Sequence, residues 1–189
     1  MLFRSNFGAE YEEMVVDQLM TSRFQGLPTM LAVVTGQYES NNGIDAMGFA
    51  YEDGILKMYV FEMKWKNLPE GGVPQRQVKL TPTSTKGKVQ TDYEWAMICI
   101  DEFIASRTVG ALTAKNQLRM QLPRLLGETP GARWTNEELR TYLRSKINVT
   151  EMRRVVAIPP WADARKLYQQ LIALRRRGQG GYKVIRTGP

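Results

Sequence analysis

The sequence contains no histidine and a single cysteine, Cys99. The first absence excludes every mechanism that needs an imidazole, including Ser-His triads, histidine-based nucleases and His-ligated zinc. The second excludes an intramolecular disulfide and, with the first, a structural zinc site. Cys99 stands in AMICI (96–100) and reads as a small buried hydrophobe, not a nucleophile. No run of about 18 apolar residues occurs, so no transmembrane helix is expected. The opening MLFRSNFGAEYEE lacks the apolar stretch and cleavage site of a signal peptide, so a cytoplasmic place of action is expected. No internal repeat or low-complexity segment is present. Any chemistry must draw on carboxylates, lysine, tyrosine, glutamine and a hard metal ion.

The chain has 189 residues, 43% of them apolar and 10% aromatic, which suits one packed domain over 1–189. Net charge is +7 and unevenly spread. Residues 1–106 hold 9 Lys/Arg against 14 Asp/Glu; residues 107–189 hold 17 against 5. A basic half of this kind suits an anionic partner, nucleic acid or a membrane surface, or merely solvates helix surfaces. A membrane-surface role is disfavoured, because the arginines of 175–177 cluster at a helix end instead of lining one face.

GAEYEEMVVDQLMTS (8–22) has helical periodicity through Tyr11, Val15 and Leu19. MLAVVTGQY (30–38), IDAMGFAY (44–51) and ILKMYVFEMKW (55–65) read as strands of an antiparallel meander, the last two joined by a tight EDG turn. A long loop with three prolines and three glycines follows over 67–87. Residues 88–106 predict a helix. Residues 107–150 predict a helical insert, broken at 127–131 and restarted by the cap-like Thr135 of TNEEL. RRVVAIPP (153–160), ADARKLYQQLIALRRRG (162–178) and YKVIRT (182–187) predict strand, helix and strand, able to form a crossover unit. The fold class is therefore α/β: a central mixed sheet of about five strands, flanked by helices.

The chemistry-bearing residues gather on two neighbouring strands. Residues two apart on a strand share a face, so Glu62 and Lys64 point one way and Phe61, Met63 and Trp65 the other. A hairpin turning at 52–54 pairs Asp45 with Phe61 or Glu62. Two adjacent carboxylates repel, and a divalent cation relieves the repulsion. Mg²⁺ or Mn²⁺ bound there, with Lys64 alongside, suits hydrolysis of a phosphodiester. An isolated Glu-x-Lys pair is equally what a surface salt bridge on a solvated strand looks like.

G-I-D (43–45), followed after a hairpin by V-F-E-M-K (60–64), resembles the active-site signature of the PD-(D/E)xK nuclease superfamily, whose fold is restriction-endonuclease-like. The spacing of Gly8, Glu12, Val15, Val16 and Leu19 resembles the family's first helix, with Glu12 as a further acid. Glu10 and Glu13 are fallbacks on the same helix, and Glu12 can also simply complement the helix dipole. K-V-Q-T-D-Y-E-W (88–95) resembles the glutamine-plus-aromatic helix start of nuclease domains in bacterial polymorphic toxins. This implies that Gln90 reaches the metal water or the phosphate; Tyr93 and Trp95 follow it, and Trp95 leads into the apolar AMICI. The first motif is G-I-D in place of P-D, and 107–150 has no counterpart in the family pattern.

The resemblance implies a Mg²⁺- or Mn²⁺-dependent endonuclease acting on DNA, with cleavage of tRNA or another RNA, or non-catalytic nucleic-acid binding, as alternatives. It implies Asp45 and Glu62 as metal ligands, with Lys64, Glu12 and Gln90 completing the catalytic set. Lys66, Arg153, Arg154 and the Arg175, Arg176, Arg177 run would hold the phosphate backbone. That run can equally complement the dipole of its own helix. A bacterial effector setting, with a cognate immunity protein as partner, is a further implication.

Overall fold

The computed structural model describes residues 6–21, 24, 26–35, 43–66, 77–80 and 88–187, with side chains from residue 10 onward. Its elements are α1 (Asn6–Thr21), β1 (Ala32–Thr35), β2 (Ala46–Glu52), β3 (Ile55–Met63), α2 (Tyr93–Ala105), α3 (Val109–Leu125), α4 (Asn136–Ser145), β4 (Met152–Ile158), α5 (Arg165–Arg176) and β5 (Tyr182–Arg186). The strands form one sheet in the order β1-β2-β3-β4-β5. β1, β2 and β3 pair antiparallel, whereas β3, β4 and β5 are parallel. The result is an α/β protein with a five-stranded mixed sheet and five helices. The expected loop at 67–87 and the turn at 39–43 lie mostly outside the described residues. No helix among the described residues is long and apolar enough to cross a membrane.

The β2–β3 hairpin turns through Asp53 (φ 54°) and Gly54 (φ 76°). Two successive positive φ angles match the right-handed twist of the flanking strands, and an Asp-Gly pair supplies them at low cost. The turn fixes the register, which runs from Glu52↔Ile55 to Ala46↔Phe61. Continued by one step, it sets Asp45 opposite Glu62, as face alternation and turn position predict.

Both faces of the sheet are covered. On one face Tyr11, Val15 and Leu19 of α1 pack with Ala46, Ala50, Tyr59, Phe61, Met63 and Val155. On the other face, Met47, Phe49, Met58 and Val60 meet α2, α3 and α4, while Val156 and Ile158 meet α5. β3 is consequently buried over all but its first residue. The 107–150 region supplies much of the larger core. Leu118, Leu122, Leu139 and Leu143 are all fully buried. Thr135 caps α4 in a reciprocal capping box with Glu138. Arg140 and Arg144 reach back to Asp101 on α2 at 3.2 and 2.5 Å.

If the insert is part of the core, truncating it must cost as much as truncating the sheet. Leu139→Ala is expected to lose about 2–5 kcal/mol of unfolding free energy in urea titration. Leu112→Ala, on the exposed side of α3, is expected to change it by about 0.5 kcal/mol or less.

Candidate active site

The C-terminal end of β3 carries the constellation. Glu62 is 2% exposed, although it ends a strand whose other residues are apolar or paired. Its Oε1 accepts a hydrogen bond from Lys64 Nζ at 2.6 Å. Its Oε2 is buried and has no hydrogen-bond partner among the described residues. Asp45 stands beside it: Asp45 Oδ2 accepts from the Met63 backbone N–H at 2.6 Å. Lys64 Nζ also donates to Gln90 Oε1 at 2.7 Å. The structure thus brings Asp45, Glu62, Lys64 and Gln90 into one contiguous group, on the sheet face that α2 and α5 cover.

Burial pushes the Glu62 carboxyl up, to about 8; the Asp45 charge adds to the rise, Lys64 opposes it, and Glu12 contributes a smaller repulsion. Glu12 is half-buried on α1 and acts on Glu62 through its field. Among the described residues no three acidic, histidine or cysteine side chains lie close enough together to hold one ion. Two carboxylates are nevertheless what Mg²⁺ usually takes from a protein, the rest being water or substrate oxygen. An all-oxygen donor pair with an orphaned buried carboxylate oxygen fits a hard divalent cation. Asp45 and Glu62 are the residues that would hold it.

Gln90 is placed by an unusual turn. Thr91, fully buried, has φ 70°, a conformation that a β-branched residue adopts only under constraint. Thr91 Oγ1 donates to the Tyr182 hydroxyl at 3.4 Å, and Tyr182 is held in turn by Arg154. Its guanidinium lies between the rings of Tyr93 (4.4 Å) and Tyr182 (4.0 Å). It donates to both phenol oxygens at 3.0 Å, to Gln179 Oε1 at 3.2 Å and to the Gly180 carbonyl. Gln179 in turn donates to Asp92 Oδ1 at 3.2 Å. Arg154 therefore ties the entry of α2 to the start of β5, and Gln90 stands next to that entry.

This corrects the expected basic surface. Arg154 is completely buried and presents nothing to a phosphate. Arg153 pairs with Glu52 at 2.8 Å on the opposite face of the sheet, opposite Tyr59 in register. That is three residues, about 10 Å, from Glu62 along the strand. Arg175, Arg176 and Arg177 are exposed, but α5 runs away from the carboxylates. Its twelve residues put the run about 18 Å from the helix start. There the arginines complement the helix C-terminus, as weighed above. Among the described residues, Lys66, Lys88, Arg165, Lys166 and Arg186 stand towards the carboxylate end, with Lys88 paired to Glu94 and Arg165 to Asp163. Of these, sequence reasoning named only Lys66. Lys66 follows β3, Arg186 ends β5, Arg165 and Lys166 open α5, and Lys88 lies five residues ahead of α2.

The raised Glu62 pKa has a consequence for stability. A carboxyl whose folded value exceeds its unfolded one stabilises the fold at low pH, and this contribution is lost as pH rises from about 4.5 towards 8. In metal-free buffer the wild-type urea midpoint is expected to fall across that window relative to Glu62→Gln. Equal pH slopes for the two proteins would show that Glu62 is not held in this way.

No protein-family model, curated protein or solved structure matches the chain.

Proposed function

We propose that the chain is a Mg²⁺- or Mn²⁺-dependent nuclease of the PD-(D/E)xK type that hydrolyses phosphodiester bonds of DNA. The observation that carries the reading is Glu62: a carboxylate buried at a strand end, with one oxygen on Lys64 and the other unsatisfied, beside a second carboxylate. Such an arrangement is costly for a fold to keep, and strongly perturbed acids in this setting concentrate at reactive sites.

Asp45 and Glu62 would hold the ion, which when bound supplies Lewis acidity and charge neutralisation to the reacting phosphate. Lys64 places its ammonium where a phosphoryl oxygen gains charge during attack by water. Gln90, through its carbonyl oxygen, fixes the ammonium's position. Glu12 adds negative potential from the α1 side. The balance is simple: water bonds to phosphorus, one P–O ester bond breaks, and the leaving oxygen gains a proton. Lys66, Lys166 and Arg186, with Lys88 and Arg165, supply positive charge for the flanking phosphates. The resemblance to toxin nuclease domains makes an immunity protein the partner to look for.

Purified protein is expected to nick plasmid DNA with Mg²⁺ or Mn²⁺ and to lose that activity in EDTA. Glu62→Ala and Lys64→Ala are each expected to lower the rate about a hundredfold or more, read from gel-resolved time courses. Binding without cleavage in every metal tried would overturn the proposal. Cleavage of total tRNA alone would replace DNA by RNA as the substrate.

A further inference from the structure

The carboxylate end of the sheet carries a second feature, an aromatic cluster. Trp65 follows Lys64, and Trp161 lies three residues beyond β4. Their ring centroids are 5.6 Å apart at 86°, and Tyr11 lies 5.1 Å from Trp65. Tyr11 is buried, but both indoles are only half-buried. Trp95, by contrast, shows what a purely structural tryptophan looks like in this fold: 1% exposed, inside the core.

Trp161 is also held firmly. Its Nε1–H donates to the Lys66 carbonyl at 2.8 Å. Its loop is pinned by Arg186, which donates to the carbonyls of Pro160 and Ala162 at 2.8 and 3.1 Å. The Val78 N–H donates to the Asp163 carbonyl at 2.9 Å. An indole fixed at the surface has already lost the rotamer freedom that a ligand would otherwise have to remove. Lys66, Arg165 and Lys166 flank it in sequence or by contact; Arg165, paired with Asp163 at 2.8 Å, still leaves 80% of its side chain exposed.

We propose that Trp161, backed by Trp65, is a stacking platform for an unpaired base of the strand that is cut. The substrate is therefore single-stranded or locally opened DNA. A base inside a duplex has both π-faces covered by its neighbours and reaches an indole only when unstacked. Aromatic stacking beside a cationic track is how single strands are held without reading their sequence, which agrees with the absence of any base-reading motif here. As a statement about the substrate, the proposal rests on the nuclease reading; as a statement about binding, it stands separately.

The test offers one labelled oligonucleotide as a single strand and as a blunt duplex. Cleavage is followed in Mg²⁺, and binding in EDTA by anisotropy and by quenching of indole fluorescence. Wild-type protein is expected to bind and cut the single strand about tenfold better than the duplex, with quenching by the single strand only. Trp161→Leu, which keeps apolar bulk without a π-face, is expected to lose the preference, and Trp161→Phe to keep most of it. Equal handling of the two forms by wild type, or an equal loss on both in Trp161→Leu, would overturn the platform while leaving the nuclease reading intact. Single-strand-selective quenching without cleavage of either form would sustain the platform and overturn the nuclease reading. Should Trp161→Leu fail to fold, quenching in the wild type and the Trp161→Phe ratio decide alone.

Discussion

β3 is hydrogen-bonded on both sides and covered on both faces, and a carboxylate sits at its end. That combination sets the terms for the rest of the molecule. The strand must be apolar to lie between α1 and the helices α2, α3 and α4, so its residues read as a nearly continuous hydrophobic run. Glu62 closes the run at the same depth. One lysine offsets part of the desolvation, and one carboxylate oxygen is left without a partner. Removing a charge from water costs several kcal/mol unless hydrogen bonds and an opposite charge are well placed. The second carboxylate, Asp45, makes the arrangement worse in the absence of a cation and better in its presence.

The uneven charge of the chain is spent largely on itself. Arg140 and Arg144 neutralise Asp101, Arg153 neutralises Glu52, and Lys146 meets Glu151 at 2.8 Å. Lys115 is buried and donates to the carbonyls of Ile104 and Ser106 at the end of α2. Such partners are needed because the second half of the chain wraps the first. Net charge alone therefore overstates the surface available to a polyanion. At the carboxylate end, Lys66, Lys166 and an Arg165 paired with Asp163 stand near Trp161.

The elements of the sheet were legible because their signals are local. The Asp-Gly turn sets the β2–β3 register, and the register sets Asp45 against Glu62. The Tyr11–Val15–Leu19 stripe and the Thr135 cap are equally short-range. The placement of the arginines was not legible, because it depends on which way α5 runs relative to the site. Arg154 follows Arg153 at the start of a strand and reads as its equal. Strand alternation sends one towards Glu52 and the other between two phenols that arrive from residues 93 and 182. Trp161 gave no sequence signal beyond being a tryptophan in PPWAD. Its setting arises only when the end of β4 meets the end of β3.

The strand order in space repeats the strand order in sequence, yet β3 and β4 are separated by nearly half the chain. While the protein is being synthesised, the first hairpin can close early, but β3 keeps an open edge until β4 arrives. Arg154, which steadies the turn beside Gln90, also arrives with β4, and its partner Tyr182 later still. Asp45, Glu62 and Lys64 are therefore made long before the residues that complete their surroundings.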